Sequence, residues 1–266
     1  MTRIDETFEE LSSFKRKALI TYIVAGDPNV NITLSSMHLM VENGADIIEL
    51  GVPFSDPMAE GPSIQKGHER ALKMKTTLDD ILEIVGDFRL KDTKTPVVLM
   101  GYFNPFSAFG LNNFFKAALK SGVDGVLVVD MPPEESATFS QLAIKYDVDI
   151  IRLIAPTTGI ERAKNILKSA SGYIYYVSLN GVTGSSKFKI DEVEEKLKDL
   201  HEITKLPIVV GFGIKDKKTV KVAANISAGV VVGSVLVDIM EGSNTRKDLK
   251  NSLAIKITEL SSGLRE

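Results

Sequence analysis

Eight short apolar runs, rich in β-branched residues, recur along this chain at 18–24, 47–51, 97–101, 126–129, 150–155, 173–178, 207–211 and 229–232. Most lack the polar–apolar alternation of a half-exposed strand, as strands covered on both faces in a parallel sheet do. Amphipathic segments with helical spacing lie at 31–43, 63–74, 78–89, 112–121, 134–146, 159–169, 191–204 and 216–225. Pro132-Pro133-Glu134-Glu135 and Asp191-Glu192 put proline or acid where a helix N-terminus favours them. Strand alternating with helix implies βαβ units, and eight of them in 266 residues predict a closed (β/α)8 barrel, the TIM barrel. An open, doubly wound sheet is the competing arrangement. It calls for G-x-G-x-x-G after the first strand, where this chain has Ala25-Gly26-Asp27-Pro28. Two more helical segments, 5–14 and 245–260, flank the repeat, and the first is placed to plug the barrel bottom. No Pro- or Ser-rich linker divides the chain, so a single domain over 1–266 is expected, with an extra N-terminal helix.

Charge and cysteine content narrow the function. Lys and Arg number 32 against 35 Asp and Glu, which leaves no electrostatic footprint for nucleic acid or an anionic membrane. Cysteine is absent, which removes disulfides, thiolate nucleophiles and Cys-ligated metals together. The N-terminus is charged and lacks the apolar core of a secretory signal, and no apolar run approaches the ~18 residues that span a bilayer. A soluble, cytoplasmic protein is the expectation. His38, His68 and His201 fall on predicted helices away from strand ends and read as surface or packing residues. No HExxH or EF-hand spacing occurs, so no metal is expected.

In a barrel of this kind the active site sits at the C-terminal strand ends. The second strand carries Glu49 within an apolar run, where a carboxylate is costly unless it is paired or working. It reads either as an acid–base with a raised pKa or as a satisfied member of a structural network. The loop after it, 51–62, has three prolines and presents Asp56 and Glu60. By position either acid is a solvated loop charge, but Glu49 and Glu60 together could supply two carboxyls to one site. Glycines follow the seventh strand (Gly211-Phe212-Gly213-Ile214) and the eighth (Gly233-Ser234), where barrels often bind phosphate through backbone N–H groups. The stretch 179–187 is long for a βα loop and reads as a lid or as a plain loop.

Glu49-Leu50-Gly51-Val52-Pro53-Phe54-Ser55-Asp56-Pro57 resembles the signature of the tryptophan synthase α-subunit family. So, in the same order, do Ala25-Gly26-Asp27-Pro28, the run from Leu99 to Pro105, Asp130-Met131-Pro132-Pro133, Ala155-Pro156-Thr157-Thr158, Gly181-Val182-Thr183-Gly184 and Gly211-Phe212-Gly213-Ile214. The resemblance implies a TIM barrel that cleaves indole-3-glycerol phosphate to indole and glyceraldehyde 3-phosphate for tryptophan biosynthesis. It implies an α2β2 complex in which indole passes to a β subunit, and places pyridoxal phosphate in that partner, with no cofactor in this chain. It gives Glu49 the acid–base role, Glu60 the charge at the indole nitrogen, and Tyr175 a place beside Glu49. Thr183 corresponds to a lid residue. Gly184, Gly213, Gly233 and Ser234 match phosphate-binding positions, and Tyr22, Met100, Leu127, Phe212 and Val232 match the indole slot. Two positions depart from the family pattern: Glu60 stands for an aspartate, and Leu179 stands where arginine is common. A degenerate, purely regulatory α-like subunit is the alternative. A triose-phosphate isomerase-like barrel is a third reading, for which Lys17 is the nearest lysine to an early strand.

Overall fold

The computed structural model describes residues 1–177, 186–211, 213–242 and 245–264, with the backbone alone for 186–189. Eight parallel strands close into a barrel in sequence order, β8 returning to β1. They are β1 (Ala18–Val24), β2 (Ile47–Gly51), β3 (Val97–Gly101), β4 (Gly125–Val128), β5 (Asp149–Ile154), β6 (Ile174–Val177), β7 (Ile208–Gly211) and β8 (Gly229–Val232). Around them run α1 (Arg3–Ser13), α2 (Val30–Glu42), α3 (Pro62–Lys73), α4 (Leu78–Arg89), α5 (Phe103–Phe109), α6 (Leu111–Ser121), α7 (Ala137–Lys145), α8 (Ile160–Leu167), α9 (Ser186–His201), α10 (Lys217–Ile226), α11 (Ser234–Gly242) and α12 (Arg246–Ser262). None of the described helices is long and apolar enough to cross a membrane.

The strands stand where the apolar runs predict them, but the helices are distributed differently. Segments 63–74 and 78–89 both lie in the β2–β3 crossover as α3 and α4, and the helix after β8 is α11, which the periodicity does not reveal. Its Val235, Leu236 and Val237 continue the valine run of β8, and only Gly233 separates the two elements. The seven-residue α5 is too short to register a period, and its first N–H is taken by Asp130 Oδ1 at 2.7 Å. The expected helix over 134–146 is broken: a 3₁₀ turn at Pro133–Glu135 precedes α7, and Ser136 Oγ donates to the Pro133 carbonyl between them.

Two apolar layers follow from strand periodicity. Leu19, Ile23, Ile48, Leu50, Leu99, Val126, Ile150, Val210 and Val230 face the helices. Ile20, Tyr22, Ile47, Val98, Leu127, Ile151, Val209 and Val231 fill the lumen. The lumen is closed below by α1, which buries Ile4, Phe8 and Leu11 in the same cluster. This helix starts on a capping box between Thr2 and Asp5. Arg3 Nη1 bonds Asp124 Oδ1 at 2.7 Å, while Asp124 Oδ2 accepts from Arg89 at 2.6 Å and from the Val97 N–H at 2.7 Å. That aspartate ties the plug to the N-terminal end of β3, so the opposite end of the barrel is left as the mouth.

Candidate active site

Glu49 lies between Ile48 and Leu50, both in the outer layer, so the two-residue period turns its side chain into the lumen. It is fully buried. Tyr173, one residue before β6, donates its hydroxyl to Glu49 Oε1 at 2.5 Å. Oε2 has no hydrogen-bond partner among the described residues. Burial pushes the carboxyl pKa up to about 7, the Tyr173 bond works against that shift, and the charge of Glu60 adds to it. A buried acid satisfied at one oxygen only, and balanced near neutrality, is placed to exchange protons rather than to hold the fold together.

Glu60 is brought to the same mouth by the β2–α3 loop. Its N–H donates to the Pro57 carbonyl at 3.1 Å, Gln65 Nε2 donates to the Glu60 carbonyl at 2.8 Å, and the neighbouring Ala59 N–H donates to the Tyr102 hydroxyl at 3.0 Å. Phe54 stacks on Tyr102 with ring centroids 5.2 Å apart. The loop is therefore fixed at both ends and in the middle. Glu60 is half-buried as a residue, yet its carboxyl is enclosed enough for burial to raise its pKa to about 7. Two carboxyls that both titrate near neutrality and repel each other behave as a coupled pair, one ionised while the other holds a proton. Asp56, by contrast, is exposed and accepts from Ser55 Oγ at 2.5 Å, a solvated loop charge.

Tyr22 is buried in the lumen beside Glu49, its register partner. Its hydroxyl lies 2.1 Å from where a Cβ on Gly51 would stand, so β2 must end in glycine for the ring to lie across it. Tyr175, half-buried, makes the same demand on Gly211, at 2.2 Å. Burial and the charges of Glu49 and Glu60 raise both tyrosine pKa values well above normal, so both hydroxyls stay protonated. Met100 and Leu127 are register partners on β3 and β4 and belong to the lumen cluster. Together with Tyr22 they form an apolar, aromatic wall beside the two acids.

Val232 is corrected. It is fully buried in the outer layer, because the lumen positions of β8 are those of odd number, such as Val231, and an even-numbered neighbour faces the helices. Gly233, the next odd position, approaches the Tyr22 ring: a Cβ there would lie 3.3 Å from Tyr22 Cδ1. Ser234 opens α11 and is exposed, so the free N–H groups of that helix's first turn start at the mouth. Gly213, exposed with φ +48°, follows β7 in a left-handed conformation that favours glycine. Leu179, Thr183, Gly184 and Phe212 lie outside the described residues. Lys17 precedes β1 at the barrel bottom, far from any strand end that could use it, which removes the basis of the isomerase-like reading.

Three site residues escape sequence reasoning. Tyr173 carries a signal in hindsight, since it stands two residues before Tyr175 and a strand brings such pairs to one face. Tyr102 and His68 carry none. His68 is only 2 % exposed, and its ring accepts the Phe54 N–H at Nδ1 over 3.1 Å. Of the other histidines, His38 stacks on Phe88 at 4.8 Å and His201 is exposed, as a packing or surface role predicts. Among the described residues no group of three His, Cys, Asp or Glu side chains is arranged to hold a metal ion.

A parallel (β/α)8 barrel with two raised-pKa carboxyls and an aromatic wall at its C-terminal strand ends defines an acid–base enzyme acting on a small, largely apolar substrate. The comparisons with known proteins narrow that class. The profile of the family described as Tryptophan synthase alpha chain matches residues 8–264. The tryptophan synthase alpha chain of Marinobacter nauticus is 51 % identical over 267 aligned residues, covering 100 % of this chain and 97 % of the relative. That of Dechloromonas aromatica is 50 % identical, covering 100 % and 99 %. The crystal structure of tryptophan synthase subunit alpha from Legionella pneumophila superposes with a TM-score of 0.92 at 42 % identity, covering 99 % of this chain and 98 % of that one. The chain belongs to the tryptophan synthase alpha chain family, a carbon–carbon lyase that cleaves indole-3-glycerol phosphate in tryptophan biosynthesis. The reading as a degenerate, regulatory subunit is not favoured.

Proposed function

We propose that Glu49 carries both proton transfers of the cleavage and that Glu60 holds the indole nitrogen. In the retro-aldol reaction the protonated Glu49 carboxyl gives its proton to indole C3, making an indolenine with positive charge toward N1. The Glu60 carboxylate accepts the N1–H and stabilises that charge. Glu49, now ionised, takes the proton of the glycerol hydroxyl next to C3. The bond between C3 and that carbon breaks, its electron pair returns to the ring to give indole, and the hydroxyl carbon becomes the aldehyde of glyceraldehyde 3-phosphate. The protons balance, and Glu49 ends as it began. The single observation that carries this reading is a fully buried carboxyl near pKa 7 with one oxygen unpaired among the described residues. Tyr173 and Tyr175 steady that carboxyl, and Tyr22, Met100 and Leu127 flank the ring.

The phosphate is read onto backbone N–H groups at Gly213, Gly233 and Ser234, with Gly184 and the lid residue Thr183 completing it. Phe212 would close the slot. Indole passes to a β subunit that holds pyridoxal phosphate, in an α2β2 assembly, and this chain contributes no cofactor. Met58, 79 % exposed on the loop that carries Glu60, is the kind of apolar tip such a docking face would cover. Cytoplasmic residence belongs to the same reading, since a phosphorylated substrate is retained there. The chain acts as one domain.

Glu49→Gln keeps the volume and removes the titration. Indole release from indole-3-glycerol phosphate should fall at least ~100-fold while the variant stays folded and no less stable than the wild type. Near-normal release from that variant would take Glu49 out of its role.

A further inference from the structure

His68 projects from α3 into the space behind Tyr22, and the direction of its hydrogen bonds can be worked out. Phe54 offers a backbone N–H to Nδ1 at 3.1 Å. A backbone N–H only donates, so Nδ1 is the accepting nitrogen. Burial lowers the ring's pKa to about 4, so it is neutral and its one proton sits on Nε2. Nε2 is 3.4 Å from the Tyr22 hydroxyl oxygen. The imidazole therefore donates to Tyr22 and occupies one of its lone pairs. The tyrosine cannot give its own proton back to that nitrogen, so its O–H is left to be donated elsewhere. The ionisable groups whose charge acts on Tyr22 are Glu60 from the β2–α3 loop, then Glu49 from β2, its register partner, then Tyr102 after β3 and Tyr175 from β6. The Tyr22 ring has little freedom to turn away, because Gly51 and Gly233 pack against it on two sides.

We propose that His68 is a positioning residue which, by donating to the Tyr22 hydroxyl, aims the Tyr22 O–H at the carboxylate side of the mouth and so favours the ionised form of Glu60. This rests on the role given above to Glu60. Burial drives that carboxyl toward the protonated state, in which it would present a proton to the indole N–H instead of accepting one. An O–H aimed at the carboxylate opposes burial. His68 thus acts on the chemistry through a second side chain while its other nitrogen holds the loop.

Asparagine and glutamine separate the two nitrogens. His68→Asn keeps an acceptor where Nδ1 stood and loses the donor to Tyr22. His68→Gln keeps an N–H donor near the Nε2 position and gives up the loop contact. The measurement is kcat/KM for indole release by the purified full chain from pH 5.5 to 8.5, with melting temperatures alongside. The acid limb should move up by about half a pH unit or more in His68→Asn and in the near-isosteric Tyr22→Phe, roughly a threefold loss at low pH. His68→Gln should keep the wild-type midpoint, and His68→Asn placed on Tyr22→Phe should add no further shift. The opposite pattern, with His68→Gln impaired and His68→Asn normal at every pH, would reduce His68 to a loop anchor and overturn the proposal. So would unmoved acid limbs in both His68→Asn and Tyr22→Phe while the wild type is active. No cleavage by the wild type would instead refute the assigned reaction, on which this inference depends.

Discussion

Glu49 stores a conflict between folding and chemistry. Its folded pKa, about 7, stands above the ordinary carboxyl value of 4.5, so the folded protein holds a proton that the unfolded chain gives up. The sign follows from linkage: the contribution to stability is complete below pH 4.5, falls as pH rises, and is gone above the folded pKa of about 7. Glu49→Gln cannot ionise and should escape this loss. Relative to the wild type it should be unchanged near pH 4.5 and more stable by roughly 2–4 kcal/mol at pH 8. Urea unfolding at the two pH values tests this, and a stability difference that does not depend on pH would mean that the Glu49 carboxyl titrates alike in the folded and unfolded chain. Glu60 shifts in the same direction but is half-exposed, and solvent screening makes its share smaller. The same buried carboxyl thus has a thermodynamic signature that needs no substrate.

The strand ends show why some elements are legible in the sequence and others are not. Gly211 ends β7 because the Tyr175 hydroxyl lies where its Cβ would be, with two more ring atoms at 2.6 and 2.7 Å. Its backbone is not left-handed, so the cost of Gly211→Ala is steric alone. That variant should push the Tyr175 ring off the site and lower indole release ~10-fold or more, while Tyr175→Phe in the same background should recover part of the loss by removing the clashing oxygen. No recovery would place the damage in the backbone. Glycine after a strand is visible in sequence, but the tyrosine that requires it is two strand positions from the end of a neighbouring strand. The strands themselves were legible because a buried parallel strand needs both faces apolar, as in Val97–Gly101 and Gly229–Val232. Glu49 was legible as a carboxylate inside such a run. The helix α11 was not, because valine does not distinguish strand from buried helix. Val232 turns to the helices rather than the lumen because family position does not specify which way a strand residue faces, and a one-residue offset reverses it. His68 was invisible because its role depends on Tyr22, 46 residues away in sequence.

At the scale of the whole molecule, the plug and the mouth are connected through the lumen. Phe8 on α1 packs against Tyr173 with ring centroids 5.9 Å apart, and Tyr173 donates to Glu49. The chain of contacts therefore runs from the bottom of the barrel to the acid–base carboxyl in three side chains. A closely packed interior transmits small displacements, and a Tyr173 hydroxyl displaced by about 1 Å would change both the position of Glu49 and its proton affinity. Phe8→Leu should reveal this when compared with Phe139→Leu. Phe139 is buried even more deeply, but it lies in the outer layer against Phe115 at 4.8 Å. Each substitution leaves a gap in a packed apolar cluster and should cost about 1–2 kcal/mol of stability. Measured well below either melting temperature, Phe139→Leu should release indole within twofold of the wild-type rate. Phe8→Leu should slow several-fold, with the loss in kcat rather than KM, because the substrate's own contacts at the mouth are untouched. Equal rates in the two variants would show that α1 closes the barrel without reaching its chemistry. A selective loss in Phe8→Leu would make the N-terminal helix part of the device that sets the Glu49 proton.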